Sequence, residues 1–274
     1  MIKVEDIEVW GWTHALRGMR NPMNSWDKSD SYIVSVEDSL GLHHIGLHHV
    51  MLEMPDFGEA DAKLIHSLVQ GGTEHRKFLR QVFVAMDITA PLYWWKEFDT
   101  YKVGTTSNSC STMHKLTSKP ITLDDFSIDD DMDDDMNDDM DVIDSEGEIS
   151  SKGFFVLLLQ IVKCTDRNIF RIVVANCEMY RQKYLMYKQK AKLNPKKAKH
   201  YNSCAKRYWR KLIQLLPSSY NQRRTITMSY ENVLAIIHQR SGHKLDEWNE
   251  FVEVLTNLPG MYVVLGEGGE PKEC

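Results

Sequence analysis

The 274-residue chain has no apolar run long enough to cross a bilayer. The longest, Phe154 to Val162, contains Gln160 and stops at Lys163, and reads as a buried strand or helix. The opening MIKVEDIEVW has no basic start followed by an apolar stretch, so no signal peptide is read there. Cysteine is scarce. Cys110, Cys164, Cys177, Cys204 and Cys274 are odd in number, irregularly spaced and never arranged as CxxC. That argues against a disulfide framework and fits free thiols in a reducing cytoplasm. No Gly-x-Gly-x-x-Gly and no Gly-Lys-Ser/Thr occurs, which argues against a Rossmann dinucleotide site and a P-loop NTPase.

What is present is ordinary in bulk and uneven in detail. Hydrophobic residues make up 42% and charged residues 26%, as in globular proteins. The length allows one large domain with a sizeable core, and residues 1–274 are read as one domain. The net charge of -6 hides a split. Fourteen acids lie between Asp124 and Glu148 with no Lys or Arg among them. Charges this dense repel, so a disordered acidic insertion is expected at 123–149. From Arg181 to Lys211 there are twelve Lys or Arg and no acid. Tyr184, Tyr187, Tyr201, Tyr208 and Trp209 are interleaved with them, a pattern compatible with nucleic acid or with a helical hairpin carrying a solvated basic face.

Local patterns suggest alternating strands and helices, an α/β or α+β class. Val4–Trp12 alternates like a strand, and Trp12–Met19 could begin a helix. Glu59–Val69 has helical spacing ended by Gly71-Gly72, and Thr73 offers a cap for a segment from Glu74 to Met86. Pro91 is expected at the first turn of an aromatic-rich helix, and Gly104–Ser111 as a loop or irregular helix start. Phe170–Val174 is β-branched and apolar. Glu178–Leu193, Cys204–Leu216, Thr225–Ile237 and Leu245–Leu255 read as helices. His43, His44, His48 and His49 place two imidazoles on one helical face, but no Cys completes a zinc set. The acidic run lacks the Gly and closing Glu of an EF-hand. No metal is expected.

Two stretches carry more. One runs EHRKFLRQVFVAMDITAPLYWWKEFDTYKVGTTSNSCSTMH from Glu74 to His114, and the other LPSSYNQRRTITMSYENVLAIIHQRSGHKLDEWNEF from Leu216 to Phe251. In this order they resemble the flavin-dependent thymidylate synthase family. That family has a Glu-His pair, then an Arg-His-Arg signature followed at fixed spacing by Asn and Ser. Glu74-His75, Asn108 and Ser111 match, whereas the Arg-His-Arg becomes Tyr101-Lys102-Val103 and a later phosphate-binding Arg becomes Met113. In the second stretch Leu216-Pro217, Arg240, His243 and Glu247 fit. Ser229, Glu231 and Asn249 replace a family Asn and two family arginines.

The resemblance implies a mixed sheet flanked by helices and a homotetramer with FAD between subunits. It implies reductive methylation of dUMP or a related pyrimidine nucleotide, with methylenetetrahydrofolate and NADPH as co-substrates. It puts His75, Lys102, Asn108, Ser229 and His243 at the cofactor. Ser111, Arg223, Arg224 and Arg240 go to the nucleotide, Ser111 and Arg240 being the catalytic candidates. The lost arginines matter because a guanidinium grips phosphate bidentately and Lys only as a point charge. Two alternatives remain: a non-catalytic nucleotide-binding relative, and a nucleic-acid-binding protein using the 181–211 block.

Overall fold

The computed structural model describes residues 2–38, 50–128 and 166–266. The four histidines of the repeat, residues 129–149 of the acidic insertion, the 154–163 run and the last residues lie outside them. The start of the expected insertion is ordered instead, with a 3₁₀ turn at Leu123–Asp125 and Phe126 buried. The chain forms two compact units, one of Met1–Cys110 with Gln222–Cys274 and one of Ser111–Asn221.

The first unit is built on a six-stranded mixed sheet. Its strands are β1 (Lys3–Trp10), β2 (Tyr32–Asp38), β3 (Val50–Asp56), β4 (Phe83–Pro91), β5 (Thr105–Ser109) and β6 (Asn221–Ser229), in the order β2-β3-β1-β4-β6-β5. β1 runs parallel to β3 and antiparallel to β4, and β2–β3 and β5–β6 are antiparallel. Side chains on a strand alternate between faces. In β4 that alternation buries Val84, Met86, Ile88 and Ala90, which fixes its register. The β1–β4 register shifts between Glu5 and Glu8, and Asp6 there takes a positive φ of 53°.

Helices cover the sheet with apolar faces at three- and four-residue spacing. Helix α1 (Trp12–Arg20) buries Trp12, Ala15, Leu16 and Met19. Gly11 precedes it at φ 103°, where a Cβ would sit 2.1 Å from the Gln81 carbonyl oxygen, so only glycine fits. The Glu53 carboxylate on β3 accepts the Gly11 and Trp12 N–H groups at 2.9 and 2.7 Å, capping α1 from across the sheet. α2 (Glu59–Gln70) brings in Asp61, a fully buried carboxylate. It accepts from Arg20 Nε at 2.7 Å, from the Ser29 and Ser31 hydroxyls at 2.8 Å, and from the Asp30 and Ser31 N–H groups at 3.0 and 3.1 Å. α3 (Leu92–Phe98), α7 (Tyr230–Arg240), α8 (Asp246–Thr256) and α9 (Met261–Leu265) complete the unit.

The second unit contains α4 (Thr112–Lys115), α5 (Asp166–Leu193) and α6 (Ala198–Leu215). α5 and α6 form a hairpin through a 3₁₀ turn at Pro195–Lys197, where proline cannot continue a helix. Leu116, Ile121, Phe126, Val174, Cys177 and Leu212 form its core. Glu178 takes Arg181 on both oxygens, at 2.7 and 2.9 Å, and the Ile121 N–H at 2.9 Å. Its carboxyl lies below the usual range, first because of the Arg181 bond.

Several expectations are corrected. The Glu74–Met86 segment is a 3₁₀ turn over Arg76–Gln81 followed by β4. The hydroxyl-rich Gly104–Ser111 stretch supplies the edge strand β5. Phe170–Val174 lies inside α5, and the first half of Thr225–Ile237 is β6. Among the described residues no helix is long and apolar enough to cross a membrane.

Candidate functional site

The first unit concentrates its polar chemistry where α3, α7 and α8 meet. Trp94, Trp95, Phe98, Trp248 and Phe251 pack edge-on and offset there in eight ring pairs, with centroids 4.7–6.4 Å apart. Such pairs contribute about 0.5–1.5 kcal/mol each beyond burial, so the wall is rigid. Arg240, at the end of α7, lies over the Trp248 ring at 4.4 Å. Its Nη1 donates to Glu97 Oε2 at 2.6 Å and its Nε to the Tyr101 hydroxyl at 2.9 Å. Trp248 Nε1 donates to the same Glu97 oxygen at 3.1 Å. His243 Nε2 lies 3.4 Å from that oxygen and 3.2 Å from Arg240 Nη1.

The tautomer of His243 follows from its other nitrogen. Nδ1 accepts the Leu245 backbone N–H at 3.2 Å, and an N–H can only donate. Neutral His243 therefore carries its proton on Nε2, facing Glu97. Asn249 Nδ2 donates to the His243 carbonyl at 2.9 Å and holds the same loop. Nearby, the Tyr93 hydroxyl donates to the buried Glu247 carboxylate.

The other two predicted arginines sit on β6. Arg223 donates to Asp87 Oδ2 from Nη2 at 2.6 Å and from Nε at 3.1 Å, and to Asp6 Oδ2 at 3.1 Å. The Asp87 bond, first among its causes, raises the guanidinium above its ordinary value. Asp6 lies within the β1 irregularity, where its φ is positive. Arg224 donates to Asp99 at 2.8 Å and Gln222 at 2.9 Å, and stacks on Trp95 at 4.2 Å.

Every predicted arginine is thus already paired with an acid of the same unit. Arg240 and His243 are brought together as expected from their spacing. Asn108 is exposed on β5, opposite Thr225 and one pair from Arg224. Lys102 and His75 are exposed. Ser229 is buried, and its hydroxyl caps α7 by accepting the Asn232 N–H at 3.4 Å. Ser111 belongs to the second unit and opens α4, its carbonyl taking the Lys115 N–H at 2.9 Å. Glu231 binds Arg76 at 3.1 Å, and its Oε2 is buried without a hydrogen-bond partner.

Sequence reading missed Glu97, Tyr101 as a phenol, Trp248, Asp87 and Asp99. The aromatic run at Tyr93–Phe98 pointed toward Glu97. Its partners lie 143 and 151 positions away, beyond any local signal.

No family model matches the chain, and no curated protein matches it. Among solved structures, thymidylate synthase X from Helicobacter pylori with FAD and dUMP matches at 15% identity and a TM-score of 0.51, over 97% of this chain and 98% of that one. A second structure of the flavin-dependent thymidylate synthase ThyX from Helicobacter pylori, complexed with FAD and dUMP, matches with the same values. The chain has the fold of those structures: a mixed α+β architecture with a sheet flanked by helices.

Proposed function

We propose that the chain is a divergent flavin-dependent enzyme of the thymidylate synthase type, acting on dUMP or a related pyrimidine nucleotide. The observation that carries this is the fold shared along nearly the whole of both chains with proteins solved with FAD and dUMP. The ordered motif matches at Glu74-His75, Asn108, Arg240 and His243 support it.

The polar parts of a flavin find suitable groups. β5 is the outermost strand of its sheet and exposes Thr106, Ser107, Asn108 and Ser109, so hydroxyls, an amide and backbone groups are available to a ring's hydrogen-bonding edge. Lys102 and His75 are exposed, and Lys102 has no ion pair among the described residues. Lys102 can meet a phosphate as a point charge. FAD, when bound, supplies the redox chemistry, and the chain's residues supply orientation and charge. Methylenetetrahydrofolate and NADPH are the proposed co-substrates. Because the arginines of one copy are already paired, a homotetramer whose neighbouring copies complete the sites is part of the proposal.

A second reading has its own support. Arg223, Arg224 and Arg240 are held by Asp87, Asp99 and Glu97, and a nucleotide phosphate must displace a carboxylate to use any of them. A non-catalytic nucleotide-binding relative fits that arrangement.

The test is the visible spectrum of the purified protein, with mass spectrometry of any released cofactor, followed by turnover of dUMP with methylenetetrahydrofolate and NADPH. Bound FAD with product formed supports the enzyme. Bound FAD without product supports the second reading. A colourless protein that does not take up added FAD sinks the enzyme reading.

A further inference from the structure

The basic block is the feature the flavin reading leaves unused. In the second unit it becomes two packed helices, with Arg181 to Lys192 on α5 and Lys199 to Lys211 on α6. Of its twelve cations, only Arg181 makes an ion pair among the described residues. The others raise the local potential, with no ion pair to offset it among the described residues.

The aromatics of this hairpin fall into two groups. Tyr187 and Tyr208 stack at 5.6 Å with rings 10° apart, Tyr180 and Tyr201 lie against them, and Lys183, Lys190, Arg207 and Lys211 sit over these rings. Tyr184 and Trp209 differ, having no ring or cation contact among the described residues. Both line one cleft of about 440 Å³, together with Lys188, Lys206, Asn202 and Met113. That volume suits a single planar ring with its attached groups. Asn202 offers an amide, its Oδ1 lying 3.4 Å from Lys188 Nζ, and Trp209 Nε1 is already used by the Met113 carbonyl at 3.2 Å. Uncommitted aromatic faces beside lysines, within a longer cationic surface, are what a base with flanking phosphates requires.

We propose that this face binds single-stranded nucleic acid. One base rests against Tyr184 and Trp209 while Lys188 and Lys206 meet the adjoining phosphates. The cations beyond the cleft extend the track along the backbone, which favours a polymer over a free nucleotide. Affinity then falls steeply with salt, as counterions are released from the phosphates. The proposal rests on the second unit alone and stands whether or not a flavin is bound.

The test uses the full chain and fluorescence anisotropy with a labelled oligothymidylate at several salt concentrations. An abasic oligomer of the same length and a labelled polyglutamate serve as comparison probes. The expected result is salt-dependent binding of the oligothymidylate, about fivefold or more tighter than the abasic oligomer. In a Lys188→Gln/Lys206→Gln variant, the slope of log affinity against log salt should flatten by about 1.4, the share of two single-strand phosphate contacts. Both lysines are at the surface, and an unchanged circular dichroism melt confirms that the variant folds. Absence of binding at low salt overturns the proposal. So do equal affinity for the abasic oligomer, a slope the variant leaves unchanged, or polyglutamate binding as tight as the oligothymidylate. That last outcome would assign the face to an acidic protein.

Discussion

Asp61 gives the sharpest test of how the first unit is held together. Its carboxylate is fully buried and accepts five hydrogen bonds, one from a guanidinium that is itself only 4% exposed. Replacing it with Asn keeps the shape and some of the bonds but removes the charge. Arg20 is left a buried cation, and its Nη2 already has no hydrogen-bond partner. Neutralising one partner of a buried ion pair costs about 3–5 kcal/mol. At this chain length each kcal/mol lowers Tm by about 2–4 °C, so Asp61→Asn should melt roughly 6–20 °C earlier by circular dichroism. The pH dependence supplies a second readout. Burial opposes the charge, but the Ser31 and Ser29 hydroxyls, Arg20 and the Asp30 N–H outweigh it and hold the carboxyl below its ordinary value. A depressed folded value means the stabilisation is complete above the unfolded value, about 3.9, and is lost as pH falls through the folded one. The gap between native protein and variant should therefore narrow in that acid range. A loss under about 1 kcal/mol at neutral pH, or a gap indifferent to acid, would refute the reasoning.

Other outcomes follow from the same geometry. Glu231→Arg faces Arg76 with a like charge and should cost about 1–3 kcal/mol in urea unfolding, and the swap Arg76→Glu with Glu231→Arg should recover most of it. Glu97→Gln loosens Arg240. Because Glu97 is 37% exposed the stability cost should stay within about 1 kcal/mol, and on the flavin reading calorimetry should find dUMP bound about fivefold tighter. Burial pushes the Cys177 thiol up to about 11, so at mildly alkaline pH a thiol reagent should label exposed Cys110 in the native protein and reach Cys177 only on unfolding. Gly11→Ala should lower Tm by several degrees, since both its φ and its distance to Gln81 reject a Cβ.

The helices were legible where one face carried the pattern. Glu59–Val69 is read correctly to within a residue, and Leu245–Leu255 becomes Asp246–Thr256. Reading failed where two periods compete. In β6 the buried Gln222, Ile226 and Met228 alternate, while Tyr230, Val233, Leu234 and Ile237 just beyond follow a helical spacing. One helical assignment over Thr225–Ile237 merged the two, although Ser229 marks the boundary as an N-cap. Phe170–Val174 is apolar and β-branched, a composition common in strands, yet it lies inside α5. Its burial continues at Cys177, a helical interval, so packing overrides propensity. β5 has no apolar pattern at all. It is a strand because β6 offers it a ladder, and that pairing joins residues more than a hundred positions apart. The site divides the same way. Arg240 and His243 are three residues apart and visible together, whereas Asp87, Asp99 and Glu97, the acids that bind the arginines, lie more than a hundred positions from them in sequence.

The β5–β6 pair has a consequence for how such a chain can change over generations. Ser109 faces Arg224, the Cys110 N–H bonds to the Arg223 carbonyl at 2.9 Å, and Gln222 Nε2 closes on the Cys110 carbonyl at 2.7 Å. The backbone leaves the sheet and re-enters it through one doorway. All of residues 111–221 pass through that doorway, so their number can grow or shrink without shifting a single strand register elsewhere. The acidic run and the cationic hairpin both fall within these residues, where new sequence can be tried while the sheet keeps its geometry.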